Sequence, residues 1–442
     1  MKTPGSKARR IMRKDEELIT PSNVRPWPLV ASSASGCTIT DVDGNHFLDF
    51  LSGAAAANVG YCHPKVTNAL KTQAEKMDYC MHAYYFNELP VKLAEKLTTL
   101  VPGAFKKKVS YGLSGSDAND AALKLVRFYT RRPNAITFVG SYHGQTYGGL
   151  SLSAIWPQMQ ESFGPLVPGI IHVPYANCYR CEYKLSYPDC GLQCAAKVKE
   201  TIEKNNVAGV FIEPIQGDAG VIIPPPEYLP EIARICKDLN VAYVDEEVQT
   251  GFGRTGRMLG IDHSKVIPDV IVFGKALAAG HCLSAVVARE DMMTWPHGSH
   301  FFTLAANPMS CAAALASLDI LRKMRLPEHA ERVGKKIMKR LSEMQERHEM
   351  IGDVRGKGLM IGVELVKDRK TKEPARPETG RVSWRAFEKG LAMSYYGTYS
   401  NVLRIAPPLI LTEKEADNAM DILEESLTDV ETGKSTKTAS GW

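Results

Sequence analysis

Three adjacent acids follow an apolar run in the stretch "AYVDEEVQTG" (242–251): Asp245, Glu246 and Glu247. Carboxylates are costly to bury unless a cation or hydrogen-bond donors compensate them. Lys275 follows a second apolar run in "DVIVFGKALAAG". Such a lysine is either a strand-end residue that reaches water or a partly desolvated amine, and desolvation favours the neutral, nucleophilic form. These residues could therefore pair a buried carboxylate with a reactive amine.

Two further segments offer an anion site and an aromatic surface. Ser114, Gly115 and Ser116 precede an amphipathic helix, where they form either an anion site or a plain N-cap. Tyr142 and His143 follow the apolar run 135–139, where an aromatic ring could stack on a flat ligand or pack at the rim. A phosphate site, an aromatic ring, an amine and a carboxylate are the groups that pyridoxal phosphate requires. The carboxylate would keep the pyridine nitrogen protonated.

Short apolar runs alternate with helical segments through the middle of the chain. The runs 135–139, 208–214, 241–245 and 269–273 are almost entirely apolar, and helices are predicted at about 116–131, 227–239 and 307–325. This pattern predicts an α/β fold whose mostly parallel sheet is covered by helices on both faces. Parallel sheets bind ligands beyond the carboxyl ends of their strands, where the acids and the lysine lie.

The rest of the chain predicts a smaller α+β domain. We expect an N-terminal arm and hairpin over 1–60, a large domain over 61–325 and a C-terminal part of the small domain over 326–442. With 44% hydrophobic and 23% charged residues and a net charge of +5, nucleic acid and membranes are not expected partners. The basic N-terminus has no apolar segment, so we expect a cytoplasmic protein.

Many ordered blocks of the sequence resemble one enzyme family. "YVDEEVQTGFGRTGRM", "PDVIVFGKALAAG", "SGSDANDAALKL", "FIEPIQGDAG" and "VLRIAPPL" are similar to the signatures of the class III (ω-type) aminotransferases, which depend on pyridoxal phosphate. The similarity extends from about 45 to 427. It implies the fold called PLP fold type I and small-molecule partners, namely an amino acid and a 2-oxo acid.

The resemblance also implies a role for each matching residue near the cofactor. Lys275 would be the Schiff-base lysine and would carry the substrate proton, with Glu246 or Asp245 at the pyridine nitrogen. Thr303 would reach the phosphate in a neighbouring subunit, which implies a homodimer or a larger homo-oligomer. The remaining cofactor-binding residues implied are Gly115, Ser116, Tyr142, His143 and Gln249.

Three other residues match substrate-binding positions of the family. Arg404 would hold the α-carboxylate as a bidentate pair, and Glu213 would pair with that arginine when an ω-amino substrate binds. Gln145 occupies a position where members that accept 4-aminobutyrate carry an arginine. A substrate with a neutral or cationic side chain, or a plain α-amino acid, is therefore favoured over 4-aminobutyrate.

The acid opposite the pyridine departs from the family pattern. Relatives have aspartate two places before the valine of "EEVQ", where this chain has Glu246. Neighbouring strand residues point to opposite faces, so Asp245 and Glu246 cannot both face the ring. Position favours Glu246, and Asp245 would need a local bulge to replace it. Our prediction is Glu246.

The expected reaction is ping-pong transamination from an ω-amino or α-amino donor to a 2-oxo acid such as 2-oxoglutarate or pyruvate. The alternative is amino-acid racemisation on the same fold, because some archaeal members of the family racemise. A non-catalytic protein that only binds the cofactor would not require Lys275, Arg404, Glu213 and Gln249 together.

A cysteine cluster stands apart from these motifs. Cys178, Cys181, Cys190 and Cys194 have the spacing C-x2-C-x8-C-x3-C. Four thiolates at this spacing could hold a structural zinc ion. Two disulfides or four free thiols in a surface loop are the alternatives.

Overall fold

Helices and strands alternate along residues 3–440, which the computed structural model describes. The described helices are α1 (Ser6–Leu18), α2 (Ser52–Ala55), α3 (Pro64–Lys76), α4 (Glu88–Leu100), α5 (Gly115–Thr130), α6 (Tyr147–Leu152), α7 (Gln193–Lys204), α8 (Tyr228–Asp238), α9 (Pro308–Lys323), α10 (Leu326–Arg347), α11 (Arg376–Glu388) and α12 (Glu413–Glu431). The described strands are β1 (Ala31–Ser35), β2 (Thr38–Asp41), β3 (His46–Asp49), β4 (Lys107–Gly112), β5 (Asn134–Phe138), β6 (Ile170–Val173), β7 (Val207–Ile212), β8 (Ala242–Glu246), β9 (Val270–Phe273), β10 (Ser284–Arg289), β11 (Ile351–Lys357), β12 (Met360–Asp368), β13 (Glu373–Pro374), β14 (Leu391–Ala392), β15 (Tyr395–Tyr396) and β16 (Val402–Ile405).

Contacts divide the chain into two compact units. The first unit contains the described residues up to His63, Gly253–Gly256, and the chain from Arg325 onward. The second unit contains Pro64–Phe252 and Arg257–Met324. None of the described helices combines the length and the apolar character that crossing a bilayer requires.

A seven-stranded sheet forms the centre of the second unit. Its strand order is β4-β10-β9-β8-β7-β5-β6. Strands β6, β5, β7, β8 and β9 pair in parallel, and β10 pairs antiparallel with both β9 and β4. Every residue of β7, β8 and β9 is buried, which explains their nearly continuous apolar sequences. The predicted α/β fold with a mostly parallel sheet is confirmed.

Helices cover both faces of this sheet. Buried residues of α5, such as Ala122 and Val126, share one apolar cluster with Ala242 and Val244 of β8. On the other face, Tyr228 of α8 packs edge to face against Phe138 of β5, with ring centroids 6.4 Å apart. Side chains along a strand alternate between the two faces of the sheet. Glu246 therefore lies on the same face as Ala242 and Val244, the face that α5 covers, whereas Asp245 lies on the opposite face.

The first unit contains two smaller sheets. One has the order β1-β2-β3-β14, and it includes the predicted hairpin of β2 and β3 around Asp43-Gly44-Asn45. The other has the order β11-β12-β16-β15, with β13 paired to β12. Helices α10 and α12 pack together, as do α11 and α12. This is the α+β composition expected for the terminal segments.

A buried arginine connects distant parts of the first unit. Arg254 is fully buried, and its guanidinium donates to the carbonyls of Leu359 (3.0 Å) and Pro407 (2.6 Å). It also donates to Ser52 Oγ (3.1 Å) and Asn58 Oδ1 (2.6 Å). Burial lowers the pKa of Arg254 to about 9. One side chain therefore satisfies four buried acceptors that are far apart in sequence.

We expect Arg254→Ala to lower the free energy of unfolding by about 2–4 kcal/mol, because each buried acceptor left without a partner costs about 1–3 kcal/mol before relaxation. Thermal and urea unfolding would measure the loss. The control is Arg257→Ala, three residues away and exposed, which should change stability by less than about 0.5 kcal/mol. Equal stability of the two variants would contradict this role.

Candidate active site

A cavity of about 180 Å³ lies in the second unit, where several strands of the sheet end. Its lining residues follow β4, β5, β7, β8 and β9, so they gather at the carboxyl ends of the parallel strands, as expected for this fold class. The lining residues are Gly115, Ser116, Asn119, Tyr142, His143, Gly144, Glu213, Asp218, Glu246, Val248, Gln249 and Lys275.

The first turn of α5 forms one side of the cavity. Ser114 caps the helix in a capping box with Asp117, whose carboxylate accepts the backbone N–H of Ser114 (3.0 Å). This cap fixes the helix end, where the first N–H groups and the positive dipole end attract anions. A Cβ on Gly144 would lie 2.2 Å from Ser116 Oγ, so the space beside Ser116 requires glycine. The turn therefore offers free N–H groups to a ligand at a fixed position.

Lys275 and Glu246 bring opposite charges to the cavity. Lys275 begins a short 3-10 helix (Lys275–Ala278) directly after β9, with a φ of 42°. Burial raises the pKa of the Glu246 carboxyl, and the positive charge of Lys275 lowers it. Glu246 Oε1 also accepts the backbone N–H of Val248 at 2.8 Å. The carboxylate is therefore partly compensated by a cation and one donor.

His143 lies beside Glu246. Its Nδ1 is 3.6 Å from Glu246 Oε2, and its Nε2 is 3.1 Å from Thr137 Oγ1. Burial lowers the pKa of His143 to about 4, although the charge of Glu213 acts in the opposite direction. The imidazole is therefore neutral at pH 7 and adds no positive charge to the cavity.

Glu213 is a second buried acid in the cavity. Its two carboxylate oxygens accept the backbone N–H groups of Tyr142 and Gly217, both at 3.1 Å. Burial raises the pKa of Glu213, and the negative charge of Glu246 raises it further. One ligand atom each of Glu213, Glu246 and His143 lie within 4.8 Å of one another, so the charge of each group affects the pKa values of its neighbours.

The three adjacent acids have three different environments. Glu246 lines the cavity, whereas Asp245 is fully buried outside it, and the structure does not bring Asp245 to the cofactor position considered above. Burial, followed by the charges of Glu247 and Glu246, raises the pKa of Asp245 well above its ordinary value. Glu247 accepts the N–H groups of Gly260 (2.9 Å) and Ile261 (2.7 Å), which anchor the following loop.

Besides Asp245, three predicted residues of the cofactor and substrate sites lie outside the described cavity: Gln145, Thr303 and Arg404. Gln145 is exposed, and its Nε2 donates to Tyr142 Oη at 3.4 Å. Thr303 is exposed, and its carbonyl accepts the Tyr79 hydroxyl at 3.1 Å. Arg404 lies on β16 of the first unit, where it is buried with its guanidinium 3.4 Å from the Tyr396 ring centroid.

Two polar residues of the cavity were not among the predicted site residues. Asn119 donates through Nδ2 to the carbonyls of Gly115 (3.1 Å) and His143 (2.9 Å), which joins the helix start to the loop after β5. Asp218 is buried, and its Oδ1 accepts Gln249 Nε2 at 3.4 Å. The position of Asp218 in "EPIQGDAG", just after β7, was the signal that could have identified it.

The cysteine cluster is separate from this cavity. All four cysteines lie between β6 and the first turn of α7, and every cysteine in residues 3–440 is a free thiol. The disulfide alternative is therefore not formed in this structure.

The residues of the cavity fit pyridoxal phosphate. Gly144 packs directly against Ser116, since a Cβ on Gly144 would lie 2.2 Å from Ser116 Oγ, and this contact holds the loop after β5 against the start of α5. The N–H groups at the start of α5 can bind a phosphate, and the Lys275 amine can react with a carbonyl carbon. The buried carboxyl of Glu246 can pair with a protonated ring nitrogen. These are the chemical groups that the cofactor requires.

Comparison with known proteins gives one family. The family described as Aminotransferase class-III matches residues 19–427. An alanine/serine racemase of Pyrococcus horikoshii is 41% identical over 100% of this chain and 95% of its own length. A leucine/methionine racemase of Thermococcus litoralis is 40% identical over 98% of this chain and 100% of its own. Several aminotransferases match at 32–35% identity.

A solved structure has the same fold. A Bacillus anthracis aminotransferase superposes with a TM-score of 0.89 and 28% identity, covering 97% of this chain and 99% of that one. Other matching structures include an amine transaminase with pyridoxal phosphate bound. The predicted PLP fold type I architecture is confirmed.

Gly144→Ala should weaken pyridoxal phosphate binding at least about tenfold, which corresponds to ~1.4 kcal/mol. The added Cβ would lie 2.6 Å from the Ser116 backbone, so the anion site must shift. Fluorescence titration of cofactor-free protein would measure the affinity. Gly298→Ala is the matched control, because Gly298 also has a positive φ (79°) but nothing within 4 Å of an added Cβ. Unchanged affinity of Gly144→Ala would contradict the assignment.

Cofactor-free protein should lose stability as the pH rises above the ordinary glutamate value of 4.5. A carboxyl whose pKa is raised by folding keeps its proton in the folded chain while the unfolded chain ionises, so rising pH favours unfolding. Glu213→Gln should reduce this loss between pH 5 and pH 8 by more than about 1 kcal/mol.

Urea unfolding at pH 5, 6, 7 and 8 would measure the slope. Glu200→Gln is the control, because the ion pairs of half-buried Glu200 with Lys204 and Lys197 lower its pKa to about 2 and its titration lies below this range. Parallel slopes for wild type and Glu213→Gln would show that Glu213 does not titrate as described.

Proposed function

The chain belongs to the class III aminotransferase family, and on that premise we propose that it is a pyridoxal-phosphate-dependent racemase of α-amino acids with neutral side chains. The family contains both racemases and aminotransferases, so membership alone leaves the reaction open. One observation carries the proposal: the carboxyl of Asp218 lines the same cavity as Lys275 and has no role in the cofactor contacts proposed below.

Bound pyridoxal phosphate would supply an electron sink for the charge that develops at the substrate Cα. In the proposed arrangement Gly115 and Ser116 would hold the phosphate, and Lys275 would be the amine that holds the cofactor's carbonyl carbon. The Glu246 carboxylate would hold the protonated pyridine nitrogen. The other proposed contacts are Tyr142 on the ring, Gln249 near the phenolic oxygen and His143 behind Glu246, where its neutral ring leaves the carboxylate negative.

Racemisation requires proton exchange on both sides of Cα. Lys275 would take the Cα proton on one side, and Asp218 would deliver a proton on the other, so one group gains a proton and the other loses one. Exchange with solvent then restores both groups. The bond to Gln249 Nε2 would orient the Asp218 carboxyl for this transfer. No oxo acid is required.

The substrate class follows from the cavity and the relatives. Gln145, where the resemblance expects arginine for 4-aminobutyrate, offers a neutral amide beside Tyr142. The two racemases described above act, by name, on alanine, serine, leucine and methionine, all of which have neutral side chains. We propose that Arg404 binds the α-carboxylate of such a substrate as a bidentate pair.

Ping-pong transamination to a 2-oxo acid is the second candidate. Glu213, which matches the glutamate of ω-amino-acid aminotransferases, lines the cavity, and this observation favours it. In that reaction Lys275 would return the proton to the cofactor side of the bond and not to Cα. The outcome depends on which carbon receives the proton.

The quaternary structure is also part of the proposal. The resemblance implies a homodimer in which Thr303 serves the neighbouring subunit's phosphate site. The exposure of Thr303 in the isolated chain is consistent with a contact across such an interface.

Asp218→Asn tests the proposal. With pyridoxal phosphate and no oxo acid, wild type should convert L-leucine or L-alanine into the D-isomer, measured by chiral chromatography. Loss of a general acid or base costs about 10²–10⁴-fold, so Asp218→Asn should racemise at least about 100-fold more slowly. In D₂O the Asp218→Asn variant should still exchange the Cα proton of one enantiomer through Lys275. The Lys275→Ala variant should neither racemise the substrate nor exchange its Cα proton.

Exposed Glu227→Gln serves as the control, because it also removes a carboxylate and lies outside the cavity. Undiminished racemisation by Asp218→Asn would remove Asp218 from the mechanism. Stoichiometric oxo acid without D-isomer, from wild-type enzyme over a panel of L-amino acids, would establish the aminotransferase.

A further inference from the structure

We propose that Cys178, Cys181, Cys190 and Cys194 bind one zinc ion, which closes the loop between β6 and α7. The four residues line a single cavity of about 20 Å³, remote in sequence from Lys275. Four cysteines around one small space favour a single central ligand over two separate pairs. This site is independent of the reaction proposed above.

The loop between β6 and α7 has little regular structure of its own. Residues 174–192 contain no described helix or strand, and loops of this length inside a compact domain are uncommon unless something stabilises them. Its backbone hydrogen bonds form short turns. For example, the Lys184 N–H donates to the Cys181 carbonyl (3.0 Å), and the Cys190 N–H donates to the Ser186 carbonyl (2.9 Å). Tyr187 Oη donates to Glu227 at 2.7 Å. A metal bound by Cys178 and Cys181 near the start of the loop and by Cys190 and Cys194 near its end would crosslink these turns.

Zinc binding at the four cysteines balances without an oxidant. Each of the four thiols would release one proton to solvent, and the four sulfurs would bind the divalent cation as thiolates with no redox change.

The ligand set and the size of the cavity favour zinc. Four cysteine sulfurs at C-x2-C and C-x3-C spacing are typical of structural zinc, with Zn–S distances of about 2.3 Å. A space of about 20 Å³ suits one ion and not an iron–sulfur cluster. No three sulfurs of the described cysteines lie within 4.8 Å of one another, whereas tetrahedral zinc places its sulfur ligands about 3.8 Å apart. The proposed site therefore includes a small inward shift of the loop.

The first test is the metal content of the enzyme with its cofactor bound. Protein produced in medium containing zinc and then desalted should contain about one zinc per chain by plasma mass spectrometry. Protein produced with cobalt should show the thiolate charge-transfer and visible bands of tetrahedral cobalt. Cys178→Ser/Cys190→Ser should lose the metal, and Cys282→Ser, an exposed cysteine outside the cluster, should keep it.

A second measurement covers the case in which the double variant misfolds. Stripping zinc from wild-type enzyme with a mercurial and a chelator should release about one zinc per chain and speed trypsin cleavage after Arg180 or Lys184, while the cofactor absorbance is retained. Zinc added back after thiol removal of the mercurial should restore resistance. Metal-free protein with four reactive thiols, intact protein with two disulfides, or iron in place of zinc would each overturn the proposal.

Discussion

The cost of burying Glu246 at the end of an apolar strand is the constraint on which the second unit depends. The carboxyl is buried, so the Lys275 cation and the Val248 N–H must compensate its charge. Lys275 can do this because β9 lies beside β8 and ends level with it. The same parallel register brings the loops after β5 and β7 to this edge. Sheet pairing and local electrostatics thus specify the same site.

The environment of Glu246 also limits what the other buried groups can do. His143 is neutral, so it supports the carboxyl without cancelling its charge. Glu213 is held by two backbone donors, yet its raised pKa reflects both burial and the charge of Glu246. Folding therefore favours the protonated form of Glu213, which limits the negative charge that gathers around Glu246.

Sequence patterns predicted the regular elements well, because each pattern reflects a local physical requirement. Strands β7 and β9 are wholly apolar and β8 is apolar up to its two final acids, and all three are buried on both faces. The capping residues of α5 are needed wherever that helix begins. Asp218 and Asn119 were not predicted as site residues, because a polar side chain in a loop or first helical turn points wherever the surrounding chain directs it. Their neighbours, Gln249 and the His143 carbonyl, are distant in sequence.

The three adjacent acids Asp245, Glu246 and Glu247 show what the sequence determines and what only the tertiary structure determines. By itself the sequence determined that one acid follows an apolar strand at the ligand edge of a sheet, and that strand alternation keeps Asp245 and Glu246 on opposite faces. Only the tertiary structure decided which face carries the cavity, because α5 covers the side shared by Ala242 and Val244. The tertiary structure also determined that Glu247 anchors the loop that follows β8. The backbone N–H groups of Gly260 and Ile261 reach its carboxylate only once that loop has folded back.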